Sequence, residues 1–146
     1  MRLRSILAAL LVATASIAAV AAEPAPTSAA TLIARADKYW TEGKLDKAGE
    51  SFAAAVAAEP KSSATLLRLA GFQLSQQEIS KSVATYRQVI TLEPKNSKAW
   101  IGMGLAYLHS GDTELARAAL DEAIRVDPAR KESLKPLLAK LDERSH

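Results

Sequence analysis

The groups that could do chemistry in this chain are few: the histidines His109 and His146, no cysteine at all, and one closely spaced glycine pair, Gly102-Met103-Gly104. Without a thiol there is no thiolate nucleophile, no disulfide, no thiolate metal site and no lipidated N-terminal cysteine. His109 with Asp112 would supply two metal ligands, short of the four a structural zinc site takes. No serine, histidine and acid stand at the spacing of a catalytic motif. The glycine pair lacks the third glycine of a dinucleotide loop and lies in a stretch of helical periodicity, so it reads as packing geometry. The expectation is a protein that is not an enzyme and takes no metal and no cofactor. Its work is then done by a surface.

The elements that position such a surface are written as a repeat. Pro60, Pro94 and Pro128 stand 34 residues apart, and the residues before each recur at the same offsets. Leu32, Leu66 and Trp100 open the first helix of each unit. Arg35, Leu69 and Met103 follow by three, Ala36, Ala70 and Gly104 by four, Tyr39, Gln73 and Tyr107 by seven. That is the spacing of one helical face. After a turn at Gly43, Gln77 and Gly111, second helices carry Ala48, Ser82 and Ala116, then Phe52, Tyr86 and Leu120, then Ala55, Val89 and Ala123. Glu59-Pro60, Glu93-Pro94 and Asp127-Pro128 close the units. Small residues in the 36/70/104 and 48/82/116 columns let paired helices approach, while large ones at 32/66/100 and 52/86/120 fill the space between. Glycine after the first helix suits a left-handed C-cap, Asp112 suits an N-cap, and proline stops the second helix. A unit of this length leaves one apolar face bare and must stack on its neighbour.

These columns resemble the tetratricopeptide repeat: large aliphatic, small, aromatic, glycine, small, aromatic, small, proline. The third unit departs from that pattern only at Met103 and Leu120. The resemblance implies an all-α fold, a right-handed α-solenoid of three helix-turn-helix repeats at 29–62, 63–96 and 97–130, with 131–146 as a C-terminal capping helix and tail. Gln77 stands where glycine is usual, and a left-handed residue bearing a side chain costs about 1 kcal/mol, so the middle hairpin is expected to turn differently. Arg35 in an apolar column is tolerable because the first unit has an open side.

Composition agrees. Of the 146 residues 49% are hydrophobic and 24% charged, an ordinary globular balance, and the aliphatics are largely the helix formers Ala and Leu. Residues 1–22 read as a signal peptide. Arg2 and Arg4 precede an uncharged apolar run at 6–20, and Ala19-Val20-Ala21-Ala22 offers small residues for cleavage after Ala21 or Ala22. An uncleaved anchor is the competing reading, although the run is shorter than the roughly 20 residues a spanning helix takes. Residues 23–30 form a Pro/Ala-rich flexible tether. Losing Arg2 and Arg4 reduces the formal charge from +3 by their two units, which leaves no basic footprint for nucleic acid. The chain is expected to be exported and periplasmic, with no membrane contact after cleavage.

The carboxy-terminal stripe Leu134, Leu137, Leu138 and Leu141 has i, i+3, i+4, i+7 spacing with charges around it. It marks an amphipathic helix, read as a cap on the third unit; docking on another protein is the alternative. Pro136 falls in its first turns, where a missing N–H costs least.

A second column runs along the first helices: Ile33, Asp37 and Trp40; Leu67, Gly71 and Leu74; Ile101, Leu105 and Leu108. The resemblance implies that these positions line a concave groove, here apolar and edged by Arg68, Lys98 and His109. The bland alternative is that they belong to the core. A groove of this kind suits the apolar face of a helix or an extended apolar peptide. Relatives that clamp a partner's C-terminal carboxylates use Lys and Asn on these helices. Here Ile33 and Asp37 stand at the matching first-unit places, so an acidic clamp is not expected. The function implied is a non-catalytic protein-interaction scaffold of the cell envelope. Alternatives are a periplasmic assembly factor that self-associates through its last helix, a homo-oligomer being compatible but not implied, and a membrane-anchored accessory subunit.

Overall fold

The computed structural model describes residues 27–144. The signal segment 1–22, the start of the tether and His146 lie outside the described residues. Seven α-helices follow in order: α1 Ala29–Thr41, α2 Leu45–Ala58, α3 Ser63–Ser75, α4 Ile79–Leu92, α5 Ser97–Ser110, α6 Thr113–Val126 and α7 Lys131–Arg144. A short 3-10 turn, Pro128–Arg130, leads into α7, and there is no strand among the described residues. The protein is an all-α solenoid of repeats.

Capping recurs at the 34-residue period. The side chains of Ser28, Ser62 and Asn96 accept from the backbone N–H groups of Thr31, Thr65 and Ala99 at 3.2, 3.4 and 3.2 Å, which satisfies an otherwise orphaned donor at the start of each first helix. This overturns part of the tether reading. Because Ser28 is the cap, Ala29 and Ala30 are the first turn of α1, and Ala29 is buried. Asp112 caps α6, accepting from Leu115 N–H at 3.1 Å. Glu59, Glu93 and Asp127 all leave the helical region, with φ of −136°, −136° and −142°, as a residue before proline does.

The three hairpin turns are alike, so the expectation of a different middle turn fails. Gly43, Gln77 and Gly111 have φ of 71°, 61° and 82°. Each donates its N–H three residues back, to Trp40, Leu74 and Leu108, and the next N–H reaches Tyr39, Gln73 and Tyr107. Packing between α3 and α4 dictates this geometry: the buried Ser82 hydroxyl donates to the Ala70 carbonyl at 2.9 Å and Thr85 donates to Gln73 Oε1 at 2.8 Å. Gln77 therefore takes the left-handed conformation in spite of its side chain.

No hairpin completes its own core. Ala36, Ala48 and Phe52 of the first are joined by Phe72 of α3. Leu66, Ala70, Tyr86 and Val89 of the second are joined by Ala99 and Met103 of α5. Ala116, Leu120 and Ala123 of the third are joined by Leu134 and Leu141 of α7. The leucine stripe of α7 is thus occupied within the chain, and Arg117 pairs with Asp142 beside it. Pro136 is the sixth residue of α7, past the first turn, so it deprives the Glu132 carbonyl of its helical partner. Arg35 is exposed on the open side of α1.

The glycine pair of α5 faces two helices. A Cβ on Gly102 would stand 2.2 Å from the Tyr86 ring of α4, and one on Gly104 would stand 3.0 Å from Leu120 of α6. Both glycines allow close helix approach, which accounts for the motif without a phosphate. A polar latch closes the third unit: Ser97 donates to Asp127 at 3.1 Å and Arg130 donates to the same carboxylate at 2.9 Å. At the corresponding place the first unit has Ala29.

Gln77→Gly should raise stability by about 1 kcal/mol, because it relieves the left-handed conformation. The urea midpoint should rise with an unchanged slope.

Candidate binding groove

The first helices α1, α3 and α5 lie side by side, with α1 against α3 and α3 against α5. Spacing of i, i+4, i+7 brings three residues of each to one face, and the row so formed is uniform in exposure. Ile33, Asp37, Trp40, Leu67, Gly71, Leu74, Ile101, Leu105 and Leu108 are all partly buried, none a full core residue and none fully solvated. Ile33 and Trp40 rest on the first core cluster, Leu67 on the second, Ile101 and Leu108 on the third. Leu74 and Leu105 lie outside the three clusters.

Trp40 is held from beneath. Its ring meets Phe72 edge-on at 5.5 Å and Phe52 at 6.3 Å, while the two phenyl rings are 5.2 Å apart. Such aromatic pairs favour edge contacts and rigidify the indole. Phe72 has no counterpart in its column, where Lys38 and Ala106 stand, so periodicity gave no sign of it. Beside Trp40 is a recess lined also by Asp37, Thr41 and Arg68. Asp37 Oδ1 is shielded from solvent and faces the Arg68 guanidinium as an ion pair rather than a well-aligned hydrogen bond.

The other edge residues are solvated. Lys98 and His109 are exposed. His109 Nδ1 lies 2.8 Å from the Leu105 carbonyl, and since a carbonyl only accepts, Nδ1 carries the proton. Asp112 is engaged as the α6 cap. Among the described residues, no three His, Cys, Asp or Glu side chains gather as a metal site would need.

A second recess continues from Leu108 to Leu137, Lys140, Leu141 and Glu143 of α7. It exists because α7 packs on α6 and the 3-10 turn, whereas α5 is not among its main neighbours. The leucine stripe signalled that α7 packs somewhere, but not that it would diverge from α5. The floor of the row opens at Gly71, where a Cβ would approach the Tyr86 hydroxyl to 3.9 Å. Burial pushes the Tyr86 phenol above the ordinary tyrosine range.

Stacked two-helix units around a shallow apolar row define a helical-repeat solenoid. Two sequence models of the tetratricopeptide repeat match residues 33–91 and 80–141, and the chain belongs to that family. In structure it is similar to the first TPR domain of Spaghetti (RPAP3) bound to the HSP90 peptide SRMEEVD, with a TM-score of 0.72 at 18% identity over 82% of this chain and 94% of that one. The TPR2B domain of yeast Sti1 in its pHsp70 complex gives a TM-score of 0.72 at 16% identity over 80% and 97%. MamA gives 0.66 at 20% identity over 73% and 63%. At these identities the likeness is one of fold. No curated protein matches the chain in sequence.

Ultraviolet titration should find that Tyr86 ionises above the ordinary tyrosine range. Because its folded-state value is raised, folding stability is full below the unfolded phenol pKa and falls as pH rises through the folded one. Tyr86→Phe should remove that alkaline loss.

Proposed function

We propose that this protein is a non-catalytic scaffold that binds an apolar segment of another protein along the row formed by α1, α3 and α5. The observation that carries this reading is the uniform partial burial of that row. Core residues would be covered, and a merely solvated face would not place seven apolar side chains among nine. The fold neighbours support a peptide-binding role, since the RPAP3 domain holds SRMEEVD and the Sti1 domain is in complex with pHsp70. An interface spanning three repeats is modest, which suits a transient, micromolar complex of about −8 kcal/mol.

Leu74 and Leu105 are the cleanest probes, because they lie outside the core clusters. Leu74→Glu with Leu105→Glu should leave the helical circular dichroism signal intact and abolish partner capture, since docking would bury unpaired carboxylates. A photoreactive residue at Leu74, crosslinked in cells, identifies the partner. Undiminished capture by the double variant would assign binding to another surface.

We also propose export to the periplasm, on the signature of Arg2, Arg4, the apolar run at 6–20 and the small residues up to Ala22. Mass spectrometry of the native protein should find Ala22 or Glu23 at the amino terminus. An intact Met1 would favour the membrane-anchored reading instead.

A further inference from the structure

The row across the groove contains one carboxylate, Asp37, among seven apolar side chains and Gly71. Asp37 comes from α1 and engages Arg68 from α3, so the ion pair bridges two repeats at the rim of the recess beside Trp40. The Arg68 side chain is 49% exposed and that of Asp37 32%. The guanidinium is therefore within reach of a ligand, yet its charge is already balanced.

We propose that Asp37 is a specificity-determining residue: by holding Arg68 it cancels the charge that would receive a carboxylate, so that the groove admits uncharged apolar segments and rejects acidic ones. This rests on the groove reading above. An acidic segment entering the recess meets a like charge. To reach Arg68 it must displace Asp37, leaving the shielded Oδ1 without its counter-ion. An uncharged segment incurs neither penalty. Discrimination of this kind depends on a repulsive element as much as on an attractive one. Arg68 and Lys98 against Asp37 leave one net positive charge at the groove, and removing Asp37 leaves two.

The test is fluorescence anisotropy with labelled SRMEEVD and a basic counterpart, SRMKKVK amide, on the full chain at low ionic strength. Wild type should bind neither peptide saturably. Asp37→Asn should bind SRMEEVD at least about tenfold tighter than wild type, the scale of a hydrogen bond to a charged group. The gain should disappear with added salt and in Asp37→Asn with Arg68→Gln. Arg68→Gln alone frees the carboxylate and should bind the basic peptide instead, which keeps the proposal testable if Asp37→Asn does not fold. Wild-type binding of SRMEEVD equal to that of Asp37→Asn overturns the proposal, as does the absence of a gain in the folded variants. Crosslinking from Leu74 probes the apolar row separately, so failure of the groove reading is distinguishable from failure of the charge switch.

Discussion

Every structural feature of this protein depends on the fact that no hairpin can bury its own apolar face. Phe72 completes the first core, Ala99 and Met103 the second, Leu134 and Leu141 the third. Cohesion therefore passes from neighbour to neighbour, and the chain behaves as a nearly one-dimensional object. The same requirement creates the groove. If second helices are used for stacking and first helices line up beside one another, the first helices keep a strip that no other described helix covers.

Much of this was legible because the period multiplies weak signals. A lone Ala36 or Gly104 says little, but small residues in the same column of three units require close helix approach. The glutamate- or aspartate-proline endings and the Asp112 cap were equally readable. The start of α1 was not: 28–30 carry no apolar period and read as tether, and the cap geometry shared with Ser62 and Asn96 places it. Gln77 runs against its local preference because tertiary packing outweighs it. The hydrogen bonds joining α3 to α4 leave that residue no other turn, and a penalty of about 1 kcal/mol is small beside them.

What escaped the sequence has no period. Phe72 occurs once in its column. Asp37 and Arg68 are 31 positions apart and meet only because α1 and α3 run side by side. The seating of α7 on α6 and on the 3-10 turn is a feature that hydrophobic spacing does not encode. The groove's apolar members were recognisable from the repeat, while its one internal charge pair was not. That pair distinguishes this groove from a purely greasy strip.

The latch closing the third unit makes the units unequal. Ala29 cannot bond Glu59 as Ser97 bonds Asp127, and Arg35 is exposed. The carboxy-terminal core is completed by α7, so among the described residues the third unit carries a closure that the first does not. Trp40 and Asp37 belong to the hairpin without that closure, so the recess beside them rests on ring packing and on the Arg68 pair.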